Sequence, residues 1–179
     1  MFVGRLASNK GLPILLDALE EVATTHPDLS ATILGSGPLG AWLDDQLAKR
    51  GLAGPVRRLQ RVDSAQDVAN LYQSARMLVC ASTAEGGPRV TVEAMACATP
   101  VISTPVGVMA ELIEHGENGL LFEWDSSQLA RHIAYLLDHP AEAAHIGAAG
   151  HASVQGFHAA NVIQRYAEGY QTLVRQRQG

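Results

Sequence analysis

The sequence predicts an α/β fold: a Rossmann-like, doubly wound parallel sheet of about six strands, with helices on both faces and further helices at the C-terminal end. Three observations point there. Short apolar runs such as Ala31 to Leu34, Met77 to Cys80 and Val101 to Ser103 are continuous rather than alternating, as strands buried on both faces are. Each run is followed by a segment with helical periodicity, the pattern of strand–helix–strand units. The chain has 179 residues, 47% hydrophobic and 17% charged, which is enough for a real core and excludes a disordered chain.

The elements follow in order. Phe2-Val3 reads as a first strand entered part-way, because strands usually run five or six residues; the expectation is a domain of a longer protein. A helix follows from about Pro13 to Thr24, with Leu15, Leu16, Leu19 and Val22 on one face. Ala31 to Leu34 is a second strand ended by Gly35, and Ala41 to Arg50 a second helix stopped by Gly51. Val56 to Leu59 is a third strand. Ser64 caps a helix to Ser74, with Asp67 three residues on. Met77 to Cys80 is a fourth strand, and a helix from about Pro88 to Ala98 stops before Thr99-Pro100. Val101 to Ser103, a short helix from Met109 to His115, and a strand from Gly119 to Phe122 complete the alternation. From Ser126 on the pattern is helical, about 126–138, 140–152 and 159–176. With no repeat, linker or low-complexity tract, residues 1–179 read as one domain.

A formal charge of −5 argues against broad binding to nucleic acid or anionic membranes. Cys80 and Cys97 form no CxxC and no secretory signal is visible, which fits a reducing, cytoplasmic setting. No apolar run approaches bilayer length. None of the seven histidines has metal-ligand spacing, so no metal site is expected.

Ligands of doubly wound sheets bind outside the carboxyl ends of the strands. Arg5, Gly35, Arg61-Val62-Asp63 and Glu85 all follow predicted strands. Glu85 and Glu93 flank a helix start, whose free N–H groups at Arg89, Val90 and Thr91 form an expected anion site. Side chains lean toward a helix N-terminus, so Glu93 can reach back to a ligand there. The blander reading, surface carboxylates favoured by the helix dipole, suits Glu85 better than Glu93, whose helix is too apolar for a surface one. Arg5 and Lys10 flank a polar loop and can neutralise a diphosphate leaving group; alone, they would read as surface charges. Gly35-Ser36-Gly37-Pro38-Leu39-Gly40 matches GxGxxG, but it follows the second strand and Pro38 lacks an N–H, which favours a tight turn over a dinucleotide site. Paired carboxylates also suggest glycoside hydrolysis, but no water-activating residue accompanies them. Trp42 and Trp124 read as packing or rim residues. Ser82 lacks the setting of a hydrolase nucleophile.

On these residues the chain resembles the C-terminal, nucleotide-sugar-binding half of a family 4 (group 1) retaining glycosyltransferase of the GT-B fold. The segments that carry the resemblance are Val3-Gly4-Arg5-Leu6 with Lys10-Gly11, Leu34 to Pro38, the Glu85 to Glu93 E-x7-E segment, Glu93 to Ile102, and Glu117 to Leu121. The resemblance implies that Gly4, Arg5 and Lys10 lie at the donor diphosphate, with Gly35 on the same edge, and that Glu93 binds ribose hydroxyls. It implies that Glu85, Gly86, Gly87 and Pro88 face the donor sugar, that Arg89, Val90 and Thr91 lie near the phosphates, and that Arg61 and Val62 lie beside the base. Arg5, Lys10 and Glu85 would be catalytic. It further implies transfer with retained configuration from a nucleotide-diphosphate sugar, with neither cofactor nor catalytic metal. An N-terminal acceptor domain would be needed for turnover, on an acceptor glycan or lipid that the residues do not identify.

Against the family pattern, Gly87 stands where a bulky residue is usual, Arg89 is an added charge, Ala98 and Val108 replace glycines, and Arg61 stands where glycine is frequent. The last helix, with Val162, Ile163, Tyr166, Tyr170, Leu173 and Val174 on or near one face, is expected to be partly uncovered or to self-associate. Peripheral membrane association of the full-length enzyme stays open. A sugar-nucleotide epimerase and a non-catalytic binding module are the alternative readings.

Overall fold

The computed structural model describes residues 1–87 and 89–176. Strands and helices alternate as β1 (Phe2–Val3), α1 (Leu12–Thr25), β2 (Ala31–Leu34), α2 (Gly40–Lys49), β3 (Val56–Leu59), α3 (Ala65–Ser74), β4 (Leu78–Cys80), α4 (Arg89–Ala96), β5 (Val101–Ser103), α5 (Met109–Leu112) and β6 (Leu120–Leu121). Three helices then follow: α6 (Ser126–Asp138), α7 (Pro140–Ser153) and α8 (Ala159–Gln176).

All pairings are parallel and form two three-stranded ladders, β1-β2-β3 and β4-β5-β6. The ladders meet side by side at β1 and β4, where the Val79 N–H donates to the Met1 carbonyl at 2.8 Å and the Met1 nitrogen to the Met77 carbonyl at 2.9 Å. Strand order across the molecule is therefore β3-β2-β1-β4-β5-β6, and the direction of winding reverses between β1 and β4. That reversal is where the carboxyl-edge loops diverge and leave a crevice.

Successive side chains of a strand point to opposite faces, and the core divides accordingly. On one face Phe2, Val79 and Ile102 pack with Leu16 and Leu19 of α1, Leu43 and Leu47 of α2, and Leu129, Ile133 and Leu136 of α6. On the other, Leu78 and Val101 pack with Tyr72 of α3, Ala94 and Met95 of α4, and Met109 beside Ile113. Each fully buried Leu or Ile contributes roughly 1.5–3 kcal/mol.

Local signals set the boundaries. Ser64 Oγ accepts from the Asp67 N–H while Asp67 accepts from the Ser64 N–H, a complete capping box for α3. Helix α4 ends at Ala96, two residues earlier than the sequence suggests. Thr99 N–H bonds the Ala94 carbonyl and Ala98 N–H the Met95 carbonyl, with Ala98 at φ +57°. This is a Schellman closure with alanine in the left-handed position that glycine usually takes. Helix α5 stops at Leu112 rather than His115, because Asn118 takes the backbone for itself: its amide donates to the Leu112 carbonyl at 3.0 Å and its oxygen accepts from Glu114 N–H at 2.8 Å. Among the described residues no helix is long and apolar enough to cross a membrane.

On α8, Ile163, Tyr166 and Tyr170 are exposed. The side chains of Leu173 and Val174, also expected on that stripe, lie outside the described residues.

Candidate functional site

The loop after β1 tightens into a single 3-10 turn, Ser8–Lys10, and enters α1 through Gly11. Gly11 has φ +65°, and a Cβ there would stand 1.9 Å from the Ala81 carbonyl oxygen, so only glycine allows this loop to press onto the end of β4. Thr83 N–H then donates to the Asn9 carbonyl at 2.9 Å, and the Asn9 amide to the Ala84 carbonyl at 3.3 Å. These contacts carry Lys10 to Glu85: the ammonium is ion-paired with Glu85 Oε1, which also accepts from Ser82 Oγ at 3.1 Å. The Lys10 and Glu85 side chains are 20% and 18% exposed, so the pair sits at the crevice wall and is only partly open to water. Arg5 is exposed at the head of the same loop, and Gly4 is half-buried.

The Gly35–Gly40 turn packs against that loop. Leu6 N–H bonds the Ser36 carbonyl and Leu39 N–H the Leu6 carbonyl, both at 3.0 Å, and a Cβ on Gly35 would come within 1.8 Å of the Gly4 carbonyl. The glycines serve the approach of backbone to backbone, as a tight turn requires.

Glu93 occupies a different setting. Its Oε2 accepts from the Tyr72 hydroxyl at 3.3 Å, and Oε1 lies 3.3 Å from Arg89 Nε one helical turn earlier. Burial, then the Glu93 charge, pushes the Tyr72 phenol well above its ordinary range, so it stays a donor; the same two causes raise the Cys97 thiol. The structure thus brings Lys10, Ser82 and Glu85 together, and Arg89, Tyr72 and Glu93 together, with each carboxylate in its own group. Against the expectation of a buried carboxylate, the Glu93 side chain is 42% exposed and Arg89 is 90% exposed, so their pair lies at the surface and only Tyr72 is a buried partner.

The remaining expected residues line the same edge. Arg61 is exposed and Val62 half-buried in the loop after β3. Gly86 and Gly87 are exposed, Val90 is half-buried, and Pro88 lies outside the described residues. Thr91 is buried with its hydroxyl 2.9 Å from Met109 Sδ, so its side chain belongs to helix packing. Two departures from the family pattern meet: a Cβ on Gly87 would stand 3.4 Å from Val108 Cγ1.

Sequence reasoning misses Ser82, Thr104 and Tyr72 at the site and takes Trp124 only for a packing or rim residue. The Ser82 carbonyl accepts from Thr104 Oγ1 at 2.6 Å and Trp124 Nε1 at 3.0 Å, and Trp124 lines a shallow cleft with Thr83 to Gly86 and Pro105 to Gly107. Position after a predicted strand, the cue that found Glu85, applied equally to Ser82, Thr104 and Trp124.

In chemical terms the crevice offers a cation, a hydroxyl-accepting carboxylate and a helix N-terminus on one edge, with a second carboxylate one turn into that helix. The model for glycosyl transferases group 1 matches residues 1–152. The chain is similar to a D-inositol 3-phosphate glycosyltransferase of Catenulispora acidiphila (34% identity, 97% of this chain, 44% of the relative). It is also similar to glycogen synthase of Mycobacterium tuberculosis (32%, covering 80% and 34%). Among solved structures it resembles the Anabaena protein HepE in complex with UDP (30% identity, TM-score 0.85, covering 96% and 48%). The C-terminal domain of a glycosyl transferase group 1 protein, LpcC of Francisella tularensis, matches at 26% identity and TM-score 0.78, covering 86% and 82%. The chain spans less than half the length of these curated relatives. With a family match over most of its length, the chain belongs to the group 1 glycosyltransferases.

Proposed function

We propose that this chain is the donor-binding half of a retaining glycosyltransferase that takes its sugar from a nucleotide-diphosphate sugar. The observation that carries the reading is the meeting of Lys10 and Glu85 at the reversal between β1 and β4, a cation and a hydroxyl acceptor side by side where doubly wound sheets bind ligands. Arg5 and Lys10 hold the diphosphate and the α4 N-terminus adds backbone donors. Glu93 accepts ribose hydroxyls, Glu85 with Gly86 to Pro88 faces the sugar, and Arg61-Val62 lies beside the base. The complex of Anabaena HepE with UDP-glucose supports a nucleotide-sugar ligand for this fold.

In the reaction, the bond from the anomeric carbon to phosphate breaks and its electron pair leaves with the diphosphate. Lys10, Arg5 and the helix end stabilise the developing charge. The acceptor hydroxyl attacks from the face the diphosphate vacates, so configuration is retained, and its proton passes to a phosphate oxygen. The acceptor site lies in an N-terminal domain, so the isolated chain binds donor weakly without turning it over. No metal or cofactor enters this scheme.

A calorimetric panel of nucleoside diphosphates against Arg5→Ala and Glu93→Ala tests it. Loss of a charge-assisted contact, worth about 1.5–3 kcal/mol, predicts roughly 10- to 100-fold weaker binding in each. Unchanged binding in both would overturn the assignment and favour a module of another kind.

A further inference from the structure

We propose that Trp124 is a positioning residue for Glu85, and through it sets how well the crevice distinguishes a glycosylated nucleotide from the bare diphosphate; this rests on the donor-binding reading above. Trp124 has φ +54°, a backbone state that bulky L-residues rarely adopt and that persists only where the surroundings impose it. Here they do. Just before it, Glu123 N–H donates to the Gln128 side-chain oxygen at 2.9 Å; just after it, Asp125 caps α6 by accepting from Gln128 N–H at 2.8 Å. With the chain pinned on both sides, the indole N–H reaches the Ser82 carbonyl. Ser82 is 2% exposed, and its hydroxyl donates to Glu85 Oε1.

One residue is thus held from two directions. Trp124 and Thr104 fix its carbonyl, and its side chain aims the carboxylate. The indole also forms a wall of the cleft that Glu85 and Gly86 line. Lys10, the diphosphate cation, is held by the same Glu85 oxygen and receives none of these contacts from Trp124 itself. A displaced carboxylate therefore weakens the sugar contact while it releases Lys10 toward the diphosphate, and the two halves of a donor should respond differently when the indole N–H is removed.

The test compares UDP with UDP-glucose by calorimetry. In Trp124→Phe, which keeps an aromatic ring and loses the N–H, UDP affinity should hold or rise by up to about fivefold and UDP-glucose affinity should fall about tenfold, a loss of roughly 1.4 kcal/mol. In a Glu85→Ala background the same substitution should leave the ratio unchanged, because the side chain it positions is gone. Equal losses for both ligands, or the same tenfold loss in the Glu85→Ala background, would overturn the proposal. A ligand-free readout keeps it separate from the nucleotide reading. The carboxyl carbon-13 resonance of Glu85 at pH 7 should move in Trp124→Phe and stay fixed in Trp42→Phe; no movement in either overturns the positioning role even if UDP binds. If no nucleoside diphosphate of the panel binds the wild type, the donor reading fails and the resonance alone decides the positioning role.

Discussion

Replacing Glu85 with glutamine should tighten the binding of a bare nucleoside diphosphate while loosening that of its sugar conjugate. In the free protein the Lys10 ammonium is already engaged by the Glu85 carboxylate, and both side chains are about four-fifths buried. A hydrogen bond between charged groups of this kind is worth about 1.5–3 kcal/mol, roughly twice a neutral one. Glutamine preserves shape and still offers an oxygen to Lys10 and Ser82, so the substitution removes about 1 kcal/mol of that engagement. The same amount lowers stability, which for a chain of this size is a fall of about 2–4 °C in Tm. It also releases Lys10 toward the phosphates, which predicts about fivefold tighter UDP. UDP-glucose should weaken, since the sugar loses a charged acceptor. Calorimetric titrations at pH 7, with thermal melts of the same samples, decide it. Unchanged or weaker UDP binding in a folded Glu85→Gln protein would refute the claim that Lys10 serves the diphosphate.

Three further outcomes are expected. Ala98→Gly should raise Tm by about 1–4 °C, because relief of the left-handed strain, about 1–2 kcal/mol, exceeds the extra unfolded-state freedom of glycine; a lower Tm would contradict the Schellman assignment. Burial, then the nearby His115 ring, lowers the His132 pKa, so the unfolded chain takes up its proton more readily than the folded one. That contribution is complete above about pH 6.5 and is lost as pH falls from there through the lowered folded value; melts between pH 7.5 and 5.5 should show it, and His132→Gln should flatten the slope. Gly87→Leu should weaken UDP-glucose binding by crowding Val108, and the added Val108→Gly should restore it; equal binding by the single and double variants would show that the two positions are independent.

Most of the fold was legible because its signals are local. The strands expected at Ala31–Leu34, Val56–Leu59 and Val101–Ser103 match to the residue, and Ser64 with Asp67 announced its own cap. The misplaced ends have distant causes. Asn118 shortens α5 from six residues away, and α4 closes on a left-handed alanine that propensity does not foretell. At the site, the residue types on the carboxyl edge were readable, but their grouping was not. Nothing in the spacing of Glu85 and Glu93 says that one meets Lys10, 75 positions away, and the other Tyr72 on the preceding helix. Those partners are fixed by the strand order, which a single sequence leaves open.

The junction of β1 and β4 also has a mechanical meaning. Two three-stranded halves are fastened there by a pair of Met1 backbone bonds at one end of the seam and by the Asn9, Gly11 and Lys10 contacts at the other. The upper fastening and the proposed donor crevice are the same atoms. A molecule bridging Lys10 and Glu85 would therefore act as a rivet across the seam. Its grip would be felt as slower amide exchange at Val79 and Thr83, on the far side of the joint from β1.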